Sequence, residues 1–131
     1  MENKNLYEIM DVLNSHRISK PSFIGSVACL VLDKQVFRSN SEVGEFVELI
    51  LEVELPQYIL RSRTLLLARL CRELDLKDKK SIQFFQRRVL MFIKNIVNDD
   101  DSENIKSTNK KNNSLSNMSK WITGILKKDN S

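Results

Sequence analysis

The sequence predicts an all-α protein: a compact bundle of about five helices, a disordered linker and a C-terminal amphipathic helix. Three observations predict it. Apolar residues recur at helical spacing through most of the first 97 positions. Glycine and proline are scarce, three and two among 131 residues, which disfavours a turn-rich β fold. The chain then changes character at Asn98, where a long polar stretch begins. The organisation that follows is a helical domain over 1–97, a flexible polar linker over 98–113 and an amphipathic terminal helix over 114–128.

The first helix rests on Leu6, Ile9, Met10 and Leu13, with Glu8 and Asp11 between them and Asn14–Ser15–His16 as its frayed end. Pro21 opens the second, because its missing N–H would be unpaired at the first helical position anyway. Phe23, Ile24, Val27, Ala28, Leu30, Val31 and Leu32 cover almost every side of it, which predicts the central, buried helix. Residues 27–32 also read as a buried strand, but no second strand of similar quality exists to pair with it. Ser39, with Glu42 three residues later, marks the start of the third helix as a reciprocal cap. Val43, Phe46, Val47, Ile50 and Leu51 then form one stripe, and Leu55–Pro56 ends the helix.

The fourth helix is read over 58–74, with Ile59, Leu66, Leu67, Leu70, Cys71 and Leu74 on one face and Arg61, Arg69 and Arg72 opposite. Arg63 violates this pattern by projecting from the apolar face. Either the helix starts afresh after Ser62, or Arg63 is buried and needs a partner, since an unpaired buried guanidinium is very costly. The favoured partner is a glutamate of the preceding helix. In the fifth helix, over 81–97, Ile82, Phe85, Val89, Phe92, Ile93 and Ile96 make the core stripe. Phe84 and Met91 project together on its far side among Lys80, Arg87, Arg88 and Lys94, as a contact surface would. The plainer reading is a helix buried on two sides. The linker has too few apolar side chains to offset its ordering entropy. Beyond it, Leu115, Met118, Trp121, Ile122, Ile125 and Leu126 share an arc of about 140° at the helical period.

Charge is sorted along the chain. Residues 41–58 carry five acids and no base, whereas residues 59–94 carry ten bases against three acids. Such asymmetry bears on partners rather than on fold. Motifs for chemistry are missing: there is one histidine, His16, no C-x-x-C pair, and no glycine-rich phosphate loop. Glu45, Glu48 and Glu52 share part of a helix surface and read as a solvated acidic face. Cys29 and Cys71, in apolar contexts, read as reduced core thiols. The start of the chain lacks a basic-then-apolar signal, and no apolar run reaches the ~20 residues that span a bilayer, which points to the cytoplasm.

Neither enzymatic chemistry nor a cofactor, metal or small-molecule substrate is implied. The expected function is a small regulator or adaptor acting through protein–protein contacts or self-association. Phe84, Met91, Trp121, Ile122 and Ile125 would carry the contact. The alternative is nucleic-acid binding through Arg61, Arg69, Arg72, Lys80, Arg87 and Arg88, whose spacing along helices suits successive phosphates. Peripheral membrane contact by the basic terminal helix is a third, weaker expectation.

Overall fold

The computed structural model describes residues 4–106, with side chains over 4–98. Among the described residues there are five α-helices, one 3₁₀ turn and no strand. They are α1 (Lys4–Leu13), α2 (Lys20–Val31), α3 (Asn40–Ile50), the 3₁₀ turn (Gln57–Arg61), α4 (Arg63–Asp75) and α5 (Lys79–Lys106). The all-helical expectation therefore holds. Helix α5 takes in the first nine positions of the expected linker; the rest of that linker and the terminal helix lie outside the described residues. A polar stretch can extend a helix that is already nucleated, because each further residue adds one hydrogen bond without a new nucleus.

Side-chain caps set the helix starts. The hydroxyl of Ser19 accepts from Ser22 N–H, that of Ser39 from Glu42 N–H, and that of Ser62 from Leu65 N–H. Glu42 completes its cap by accepting from Arg38 N–H at 2.8 Å, so this buried carboxylate is structural. The Ser62 cap resolves the Arg63 question. The 3₁₀ turn and α4 are separate elements, and Arg63 opens the second of them. Its partner is not a glutamate: Nε donates to Asn40 Oδ1 at 2.7 Å and a terminal nitrogen to the Val31 carbonyl at 3.0 Å. Val31 is the last residue of α2, where unpaired carbonyls and the helix dipole both favour a cation.

Helix α3 stops at Ile50 rather than running to Leu55. Glu52 adopts φ 57°, the left-handed region, and the chain turns there. The reason is burial: Leu51 and Val53 are both in the core, and residues two apart cannot share a helix face. The alternation of Leu51, Val53 and Leu55 with Glu52 and Glu54 is the signature of extended chain.

The core gathers Phe37, Phe46 and Phe92 from the α2–α3 link, α3 and α5, with ring centroids 4.7–5.9 Å apart. Around them pack Leu30 and Val31 of α2, Leu66 and Leu70 of α4, and Val89 and Ile93 of α5. Helix α2 lies against α1, α4 and α5, as its apolar composition implies, but it is not buried on all sides. Gly25, Cys29 and Leu32 face solvent, so Cys29 is an exposed thiol and not a core residue.

A β-carbon at Gly25 would meet nothing within 4 Å. Gly25→Ala is accordingly expected to raise stability by about 0.5–1 kcal/mol, the cost of glycine in a helix interior, measured by urea unfolding. Phe92→Ala should lower it by about 3–5 kcal/mol in the same assay.

Candidate functional site

The end of α1 meets the start of α5 through one buried side chain. Gln86 Nε2 donates to the carbonyls of Leu13 and Ser15, at 2.6 and 3.0 Å, and so satisfies the C-terminal end of α1. That contact fixes the 14–20 link alongside the first turns of α5. Two adjoining grooves of about 620 and 610 Å³ result, with Gln83 in the wall of both.

The first groove has Phe84, Leu13 and Leu90 as apolar lining, and His16, Lys80 and Arg87 among its polar residues. The second adds Arg17, Lys20 and Lys79 around Ile18 and Ile82. Lys20 Nζ also donates to the Asp75 carbonyl at 2.8 Å, tying the start of α2 to the last residue of α4. Arg17, Lys79, Lys80 and Arg87 are exposed. The result is a continuous basic shelf with an apolar floor, suited to an anionic and partly apolar ligand.

The expected site residues are dispersed. Lys80, Phe84 and Arg87 line one groove. Arg61 and Arg72 are exposed on the 3₁₀ turn and α4, and Arg69 pairs with Glu73 one helical turn on, at 3.2 Å. Arg88 is the clearest departure. Its side chain is 4% exposed, it pairs with Glu52 at 3.0 Å, and its guanidinium lies 5.0 Å from the Phe84 ring centroid. It therefore takes no place on an exposed phosphate-binding face. Phe84 and Met91 are half-buried and pack against the core, as in the plainer reading of a helix buried on two sides. Trp121, Ile122 and Ile125 lie outside the described residues.

Sequence reasoning missed Arg17 and Lys20 because they join the shelf only through the tertiary contact at Gln86, and Lys79 because the spacing starts the fifth helix at Ser81 whereas α5 begins at Lys79. For Arg88 a signal was present: at 3.6 residues per turn it falls about 60° from Phe85, between the core stripe and Phe84, where a helix buried on two sides covers it. As for chemistry, no group of three or more His, Cys, Asp or Glu side chains comes together among the described residues. Burial raises the Cys71 thiol above its ordinary value, which keeps it protonated and a weak nucleophile. Compared with protein-family models, curated proteins and solved structures, the chain matches none.

Asp78 positions the start of α5, and with it Lys79 and Lys80, by accepting from Ser81 N–H at 2.9 Å. The Ser81 amide, then its hydroxyl, hold the Asp78 carboxyl below the usual carboxylate range. A depressed folded value means that this contribution is complete above the unfolded pKa and is lost as pH falls through the folded one. NMR titration of the Asp78 carboxyl carbon should give a midpoint below that of an unstructured peptide. Asp78→Asn should remove this part of the acid dependence of stability.

Proposed function

We propose that this chain is a non-enzymatic helical adaptor or regulator that works by protein–protein contact. Its contact surface is the basic shelf at the junction of α1 and α5. The observation that carries this reading is the pairing of an apolar lining, Phe84 and Leu90, with exposed Lys80 and Arg87 in one groove. A partner segment with an acidic edge and one or two large apolar side chains would satisfy both, the apolar anchor supplying affinity and the charges orientation.

Nucleic-acid binding is the second reading, supported by the exposed Arg61, Arg72, Lys80 and Arg87. It is the weaker one because Arg88 is engaged with Glu52 and Arg69 with Glu73. No helix among the described residues is long and apolar enough to cross a membrane. Cytoplasmic residence belongs to the same proposal, supported by the free thiols of Cys29 and Cys71, which suit a reducing compartment.

A photo-crosslinking residue in place of Gln83, which faces both grooves, tests the reading. In the native host it should capture a defined polypeptide, and Phe84→Ala or Lys80→Glu/Arg87→Glu should abolish capture. Anisotropy with labelled DNA and RNA from about 50 to 200 mM salt should show no saturable binding. Steep salt-dependent binding, weakened by replacing Arg61 or Arg72, would instead establish the nucleic-acid reading.

A further inference from the structure

A third groove, of opposite charge, lies between α3 and the 3₁₀ turn. It measures about 490 Å³ and combines Glu45 and Glu48 with Leu49, Leu55 and Leu60. Gly44 lets these elements approach: a β-carbon there would sit 3.2 Å from Leu60 Cδ2. Leu49 and Glu48 are exposed and Leu55 and Leu60 half-buried, so the groove offers an accessible leucine surface beside carboxylates.

We propose that residues 114–128 of the same chain dock in this groove. Charge complementarity is the first argument. The segment carries Lys120, Lys127 and Lys128 and no acid, so it suits Glu45 and Glu48 and is repelled by the basic shelf at the α1–α5 junction. Its composition is the second: Leu115, Met118, Trp121, Ile122, Ile125 and Leu126 fall on one helical arc of about 140°. Fifteen residues make a marginal helix in water alone, and burying that arc against leucines supplies what the isolated segment lacks.

Reach is the third argument. Phe92 of α5 packs on Phe46 in the middle of α3, with ring centroids 4.7 Å apart, so α5 leaves the core beside α3. Lys106 is fourteen residues past Phe92, or about 21 Å at 1.5 Å per residue. The seven residues 107–113 span up to roughly 25 Å when extended, longer than that stretch of α5, so the tether can bring residue 114 back to the level at which Phe92 meets α3. This inference stands independently of the partner assigned to the basic shelf.

Trp121 is the only tryptophan, so the intact chain carries its own probe. In the monomeric full-length protein, Trp121 should show blue-shifted emission and resistance to acrylamide quenching that do not vary with protein concentration. Glu45→Lys/Glu48→Lys should cut the docked-to-undocked ratio about tenfold, moving emission and quenching toward those of the urea-unfolded chain. Adding Lys120→Glu/Lys127→Glu should restore the shielding. Leu49→Asp should produce the same loss without exchanging a charge pair, and far-UV circular dichroism melts of all variants check that the helical domain stays folded. Three results would overturn the inference. One is native Trp121 as accessible as in urea. Another is shielding that grows with concentration, which assigns the groove to a second copy. The third is shielding that survives both Glu45→Lys/Glu48→Lys and Leu49→Asp, which places the segment elsewhere.

Discussion

Five helices, four of them of ten to thirteen residues, leave many backbone groups unpaired at their ends, and the arrangement turns on satisfying them. The solution is shared between elements. Gln86 of α5 supplies the carbonyls at the end of α1, Arg63 of α4 the last carbonyl of α2, and Lys20 of α2 the last carbonyl of α4. Each contact joins parts of the chain that are 32 to 73 positions apart. Each is therefore both a cap and a tertiary restraint. The same contacts decide the surface, because the Gln86 contact is what lays the 14–20 link beside α5.

That accounting also separates structural charges from available ones. Among the acids of 41–58, Glu42 closes a helix cap and Glu52 holds Arg88. Among the bases of 59–94, Arg63 and Arg88 are committed to the interior, Arg69 to Glu73, and Lys77 lies 5.9 Å from the Phe85 ring centroid. The Arg88 pair is asymmetric, with Glu52 59% exposed while Arg88 is buried. An arginine so placed gains less from the ion pair than it would from a dry one, and much of its accommodation comes from covering the Phe84 ring. Removing Glu52 alone would leave a buried charge, whereas an apolar side chain of similar volume at position 88 would be better tolerated.

How far the fold was legible depended on whether a signal was local. The Ser39–Glu42 cap, the α4 stripe at Leu66, Leu70 and Leu74, and the α5 core residues could be read from spacing, because periodicity and capping act within one or two turns. Pro56 does not mark the end of α3, because proline restricts only its immediate neighbour, and the alternation at Leu51–Leu55 already sets extended chain before it. Arg63 does share the apolar face of α4 with Leu66, Leu70 and Leu74, and is accommodated there because it opens the helix and reaches Asn40 and the Val31 carbonyl. The shelf was half legible: Lys79, Lys80, Phe84 and Arg87 lie on one element, but Arg17 and Lys20 reach it through a contact between positions 13 and 86 that no periodicity encodes.

The sorted charges of the sequence acquire a physical meaning from this geometry. A surface with half-buried Glu45 and exposed Glu48 on α3 and exposed bases on α5 would, if flat, favour association of copies head to tail, since each patch complements the other. Here both patches line grooves with apolar lining, and a groove selects by shape as well as by sign. Docked as proposed, a basic amphipathic segment on a short tether would have a high effective concentration at the acidic groove and would cover it before another copy could. The basic shelf would then be the patch left for the proposed separate partner. Sorting charge along the chain would thus keep the proposed internal contact and the proposed external one from competing, because each ligand would be repelled by the other's groove.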